Sequence, residues 1–178
     1  LVTGGACFIG SHTIVELYKA GFQPIIVDNF SNSSQRAIAG IVKIIGVPVK
    51  VHEGDCNDVA FMDQVISSEE NLTGVIHFAA FKAVGESTTK PLEYYQNNVG
   101  SLLVLLETMK KHKVSDLVFS SSCTVYGEPD VLPVSELSPK KTAESPYGNT
   151  KQICEEIIED VVKSANGLSA VALRYFNP

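Results

Sequence analysis

Tyr147-Gly148-Asn149-Thr150-Lys151 sets a phenol and an amine four residues apart. On a helix that spacing puts both side chains on one face. A phenol with a pKa near 10 is a poor base at neutral pH, and an ammonium beside it favours the phenolate. The pair can then take or return the proton of a substrate hydroxyl. The same spacing also arises on helix surfaces that do no chemistry. A third group strengthens the catalytic reading: Ser120-Ser121-Ser122 closes an apolar run, and a hydroxyl there can hydrogen-bond a reacting oxygen. Serines that merely finish a strand are the plainer alternative.

A second set of residues has the composition of a phosphate cradle. Thr3-Gly4-Gly5-Ala6-Cys7-Phe8-Ile9-Gly10 follows a short apolar stub and opens an apolar, helix-periodic stretch. This resembles the G-x-x-G-x-x-G loop of the short-chain dehydrogenase/reductase family, with glycines expected at 4, 7 and 10. A tight turn needs the first glycine, close approach of a pyrophosphate the next, and tight helix–strand packing the last. The helix N-terminus offers free N–H groups and a positive dipole to phosphates. Cys7 stands at the middle position, so a side chain occupies the place of bare backbone. A thiolate there would be stabilised by the helix N-terminus. Asp28 lies 18 residues beyond Gly10, at the end of an apolar run. An acid there can accept hydrogen bonds from ribose hydroxyls and repels a 2′-phosphate, which favours NAD over NADP. A turn-forming aspartate is the alternative. For Asp55, in Gly54-Asp55-Cys56, a solvated loop acid is the alternative.

The elements that must position these groups alternate along the chain. Strands are expected at Leu1–Thr3 (a stub), Pro24–Asp28, Val49–Glu53, Gly74–Phe78, Leu117–Ser121 and Ser169–Arg174. Helices are expected at Phe8–Ala20, Gln35–Ile45, Asn57–Ser67, Pro91–His112 and from Pro146 through residue 165, the last closed by the residues at 166 and 167. Leu102, Leu103, Leu105 and Leu106 are expected to form the buried face of the long helix, and residues 131–141 a loop. Apolar strands alternating with helices predict an α/β fold: a Rossmann-like, doubly wound parallel sheet with helices on both faces and its ligand at the switch point. A flavodoxin-like sheet is the nearest alternative before the motifs are weighed.

The remaining features exclude more than they assign. The net charge of −6 and the lack of a basic stripe argue against nucleic-acid binding. No apolar run has the length of a membrane span, and no signal-peptide pattern is present. The four cysteines form no C-x-x-C pair and no zinc spacing, so no metal site is expected and a reduced, cytoplasmic protein is. Both ends look cut. The 178 residues read as one NAD-binding domain of a longer protein, with its first strand truncated and its C-terminal substrate domain absent.

Four stretches carry a closer resemblance: residues 27–33, 77–87, 119–127 and 174–178. They are similar to the UDP-glucose 4-epimerase branch of the extended short-chain family, and the similarity spans the whole chain. The resemblance implies that NAD accepts a hydride from C4 of a UDP-hexose and returns it to the other face. Tyr147 would move the C4 hydroxyl proton, Ser122 would be the catalytic serine, and Lys151 would hold the nicotinamide ribose and tune Tyr147. Thr124 and Asn177 would join Ser122 and Tyr147 on the substrate. Gly4, Phe8, Ile9, Gly10, Asp28, Asn29, Phe30, Ser31, Asn32, Ser33, Asp55, Cys56, Phe78, Ala79, Ala80, Phe81, Lys82, Asn97 and Phe176 would line the cofactor. The parent would be a homodimer acting in galactose metabolism, and this fragment weak or inactive.

The chain departs from the family pattern at Cys7, at Cys123 where alanine is usual, at Cys56 where an aliphatic residue is usual, and at Asn98-Val99-Gly100-Ser101. Cysteine is a small hydrophobe that 56 and 123 can accommodate. Two other functions stay open. A sibling nucleotide-sugar dehydratase or decarboxylase is one, but the dehydratases carry an acidic pair where this chain has Cys123-Thr124. A non-catalytic dinucleotide-binding protein is the other, favoured by Cys7 and opposed by the Ser122, Tyr147, Lys151 set.

Overall fold

The computed structural model describes residues 1–164 and 167–176. Six strands, β1 (Val2–Thr3), β2 (Ile25–Asp28), β3 (Lys50–Glu53), β4 (Gly74–His77), β5 (Asp116–Ser122) and β6 (Ser169–Tyr175), form one parallel sheet in the order β3-β2-β1-β4-β5-β6. The chain works outward from β1 to one edge, then returns to the other side of β1 and works outward again. That order is the Rossmann arrangement, and its switch point lies between β1 and β4.

Both faces of the sheet are apolar, which is why helices cover both. Val2 and Ile26 pack with Ile14, Val15 and Ile41 beneath α1 (Phe8–Lys19) and α2 (Gln35–Ile45). Their neighbours in sequence, Leu1 and Val27, turn to the opposite face. There they join Val75, Leu117 and Phe119 under α3 (Val59–Ser67), α5 (Pro91–His112) and α6 (Pro146–Lys163). Helix starts follow local chemistry. Ser34, Asp58 and Ser145 accept hydrogen bonds from the N–H groups of Arg36, Phe61 and Gly148, and Pro91 and Pro146 sit in first turns.

The differences from the sequence expectation have physical causes. Helix α3 begins at Val59 because Asp58 caps it, so the predicted start at Asn57 is two residues early. A short helix, α4 (Val84–Thr89), precedes Pro91. Its six residues are too few to show a periodicity, and Ser87, Thr88 and Thr89 bond back to the carbonyls of Val84, Gly85 and Glu86. A single 3-10 turn, Cys123–Tyr126, follows β5. On α5 the buried stripe is Leu102, Leu105, Leu106 and Met109, whereas Leu103 is 45% exposed, one position off that stripe. Helix α6 ends at Lys163; of the predicted end at residue 165 and stop at 166 and 167, residues 165 and 166 lie outside the described residues, and Gly167 has φ 75. Among the described residues no helix is long and apolar enough to cross a membrane, and no group of three or more His, Cys, Asp or Glu could hold a metal ion.

Candidate active site

The turn from β1 into α1 is built on glycine at two positions. Gly4 has φ +67, and a Cβ there would lie 2.8 Å from the Ala79 nitrogen at the end of β4. Gly10, in the first turn of α1, lies so close to the strand exit that a Cβ would strike the Gly4 carbonyl oxygen and approach the Gly5 Cα to 2.8 Å. Backbone cannot yield as a flexible side chain can. Gly10→Ala is therefore expected to cost about 3 kcal/mol in urea denaturation, while a loss below about 0.5 kcal/mol would show that the loop gives way.

Cys7, between these glycines, adopts φ −76 and ψ 173 as the residue preceding α1. Any residue adopts that conformation, so the position imposes no backbone demand for glycine. The side chain instead occupies space at the cleft mouth, where Cys7 lines the opening with Gly4 and Asp28. The expectation of a stabilised thiolate is overturned. Burial raises the Cys7 pKa, the nearby Asp28 carboxylate raises it further, and Lys82 opposes them only in part.

Asp28 ends β2 and is buried. Its Oδ2 accepts from the Ala6 N–H at 2.9 Å, and its Oδ1 accepts from the Phe30 N–H at 2.9 Å and the Ser33 hydroxyl at 2.8 Å. It joins the glycine loop to the 29–34 loop and holds Phe30 at φ 55, a left-handed conformation that non-glycine residues avoid. Asp28 is thus a turn-former, and it also lines the cleft.

Beyond it the cleft is lined by Asn29, Ser31 and Asn32, by Asp55 and Cys56 after β3, by Ala79, Ala80 and Phe81 after β4, and by Asn97 of α5. These are eleven of the predicted cofactor residues when Gly4 and Asp28 are included. The others are arranged differently. Phe8 is 64% exposed, with its ring against His12, and Phe176 is 58% exposed, facing Tyr126 at 6.2 Å. Gly10 is buried beneath the loop, Ile9 is half-buried and Lys82 exposed. Phe78 lies 6.4 Å from the Tyr175 ring, and Phe30 and Ser33 act through Asp28. Asn177 lies outside the described residues.

Four further residues, Cys7, Gly54, Asn57 and Ser101, complete the lining. Cys7 is discussed above; the other three lay beside predicted residues, and Ser101 is one turn along α5 from Asn97. Asn98, given no site role from the sequence, is buried and accepts from the Phe81 N–H at 2.8 Å while donating to the Phe81 carbonyl and to Thr150 Oγ1. It ties the loop after β4 to the helix that carries Tyr147 and Lys151.

Those two residues and Ser122 come together at the carboxyl end of β5. Tyr147 is half-buried and lies beside Ser122, whose hydroxyl favours the phenolate. Lys151 is buried and donates to the Ser120 carbonyl at 2.7 Å, with its Nζ 4.8 Å from the Phe119 ring centre and 6.0 Å from that of Tyr147. Gly148 lets α6 approach the 3-10 turn, since a Cβ there would lie 3.2 Å from Thr124 Cβ. Thr124 Oγ1 is buried without a hydrogen-bond partner among the described residues.

The electrostatics differ from the sequence expectation. Burial raises the Tyr147 phenol above its ordinary value, and the Ser122 hydrogen bond offsets this only in part. Burial also lowers Lys151 to about 8. The ammonium expected to favour the phenolate is itself disfavoured by the same dry surroundings. His77, on β4, is buried and held neutral, lowered to about 3 by burial and then by Lys151, with Nδ1 2.7 Å from Thr3 Oγ1.

Residues 1–178 match the NAD dependent epimerase/dehydratase family. The UDP-glucose 4-epimerase of Pasteurella multocida is 47% identical over 178 residues, covering all of this chain and 52% of its own length, and that of Dictyostelium discoideum is 48% identical, with 51% of its length covered. The chain thus spans about half the length of these curated relatives. The crystal structure of UDP-glucose 4-epimerase from Bifidobacterium longum in complex with NAD+ and UDP superposes with a TM-score of 0.97 at 50% identity, over 99% of this chain and 52% of that one. A Stenotrophomonas maltophila UDP-glucose-4-epimerase with bound NAD and formylated UDP-arabinopyranose gives 0.95 at 40% identity, over 99% of this chain and 52% of that one. By sequence and by fold, the chain belongs to the NAD dependent epimerase/dehydratase family.

Proposed function

We propose that this chain is the nucleotide-binding half of an enzyme that interconverts UDP-glucose and UDP-galactose through a 4-keto sugar. The observation that carries the reading is the convergence of Ser122, Tyr147 and Lys151 at the carboxyl end of β5, on the same sheet edge as the cleft of Gly4 and Asp28. The cleft fits a dinucleotide. Gly4 and Gly10 keep Cβ atoms out of the phosphate turn, α1 offers its N-terminal N–H groups, and Asp28 retains acceptor capacity for a ribose hydroxyl. NAD held there supplies a hydride acceptor and, once reduced, a donor.

The chain's own residues supply the rest. Tyr147 takes the C4 hydroxyl proton and returns it after the sugar has presented its other face, so no net oxidation results. Ser122, beside Tyr147, orients the reacting oxygen. Lys151, fixed on the Ser120 carbonyl, keeps further N–H donors for the cofactor ribose. Thr124 Oγ1, buried and unpartnered among the described residues, is a candidate sugar contact. The dehydratase alternative lacks its acids, because positions 123 and 124 are Cys and Thr. We place the enzyme in the cytoplasm, in keeping with four free thiols.

The test uses this chain and the whole protein side by side. NAD binding is measured by calorimetry and UDP-galactose conversion by chromatography. NAD binding by this chain, with turnover only in the whole protein, is the expected result. Absence of epimerisation by the whole protein, with NAD bound, would exclude the reading.

A further inference from the structure

Tyr147, Lys151 and Glu155 follow one another at four-residue intervals along α6. All three engage the serine run that ends β5. Tyr147 lies beside Ser122, Lys151 donates to the Ser120 carbonyl, and Ser121 Oγ donates to Glu155 Oε1 at 2.6 Å. Glu155 lies one turn beyond the groups given chemical roles above, and only 5% of its side chain is exposed.

Its carboxylate is a junction. Arg174 of β6 donates to it twice, at 2.9 and 2.8 Å, and Lys140 of the loop before α6 approaches it to 3.0 Å. Arg174 is the register partner of Ser121 in the β5–β6 ladder. It also donates to the Tyr126 hydroxyl at 2.9 Å and lies 4.9 Å from that ring's centre. One carboxylate thus joins α6, the end of β5, β6 and, through Arg174, the 3-10 turn that carries Thr124. Burial alone would raise its pKa, but the hydrogen bonds from Arg174, Ser121 and Lys140 outweigh burial and bring it to about 2. Packing alone does not account for this, since a buried ion pair adds little net stability over apolar side chains of similar volume. Charge-assisted, forked hydrogen bonds supply fixed direction and distance.

We propose that Glu155 is a positioning residue, which by gripping Ser121 and Arg174 fixes the end of β5 against α6 and so sets the Ser122–Tyr147 and Ser120–Lys151 contacts. The inference rests on the reading of Tyr147 as the proton-transfer group.

Glu155→Gln keeps the shape and removes the charge, and Ser121→Ala removes a single hydrogen bond. In the whole protein, Glu155→Gln is expected to lower kcat by about tenfold to a hundredfold, the cost of a misplaced catalytic group, with KM changed less than about threefold. Ser121→Ala should move kcat the same way by a smaller factor. In this chain the Tyr147 13Cζ resonance, titrated by NMR, should change its midpoint in both variants. Folded variants with wild-type kcat and wild-type Tyr147 titration would overturn the proposal. If Glu155→Gln does not fold, Ser121→Ala alone decides by the same two readouts. A whole protein without epimerase turnover would defeat the functional reading instead, and the Tyr147 titration would still decide the positioning role.

Discussion

Tyr147→Phe is expected to lower epimerase turnover of the whole protein by about a thousandfold, with NAD affinity changed less than about threefold. The substitution deletes one hydroxyl and keeps the ring, so packing between α6 and the end of β5 survives. The hydroxyl lost lies beside Ser122, so the stability change is expected to stay within about 1 kcal/mol. The turnover loss is larger because a positioned acid–base group contributes roughly 10²–10⁴ in rate. Single-turnover conversion of UDP-galactose, with circular dichroism as the check on folding, is the measurement. Turnover within about threefold of wild type would remove Tyr147 from the mechanism.

Lys151→Met should move stability and activity in opposite directions. The ammonium is buried, and its pKa falls from 10.5 to about 8. In the unfolded chain it titrates near its ordinary value, about 10.4. Between these two values the unfolded state holds the extra proton, so this group makes stability rise with pH across the window. Below about pH 8 the folded protein carries the whole cost of burying the charge, about 3 kcal/mol as an upper bound. Methionine has similar length and no charge, but it forfeits the bond to the Ser120 carbonyl. A net gain of about 2 kcal/mol at pH 7 is expected, shrinking as pH approaches 10, with turnover of the whole protein down by at least about a hundredfold. Urea denaturation at pH 7 and pH 9.5 reads the first effect. A variant less stable than wild type at pH 7 would mean that the Ser120 bond outweighs the desolvation cost.

The sheet was readable because its strands are apolar on both faces and its helices carry caps and stops. Asp28 closed an apolar run, and Gly46 ended α2 with φ 78. The missing elements were short. Helix α4 has six residues and a run of hydroxyls, and the turn at Cys123–Tyr126 depends on Ser122 Oγ accepting from the Thr124 N–H. The chemistry-bearing residues were legible by type and spacing, but their environment was not. Whether Tyr147 and Lys151 lie dry or wet depends on Phe119 and on how α6 sits on β5, contacts between segments about thirty residues apart. For the same reason the burial that raises the Tyr147 phenol and lowers the Lys151 amine was not legible in their spacing. Nothing in their spacing pairs Glu155 of α6 with Arg174, which the fold sets opposite Ser121 in the β5–β6 ladder.

Asp28 has a consequence for binding. Three of its roughly four acceptor directions are already filled by Ala6, Phe30 and Ser33. An incoming hydroxyl meets a single open lone pair, in a socket whose two loops are stitched together before anything arrives. Little chain entropy then remains to be lost on docking. A hydroxyl that docks there would find its acceptor already aimed, so tighter binding would follow from the carboxylate's internal bonds as much as from the one it makes to its guest.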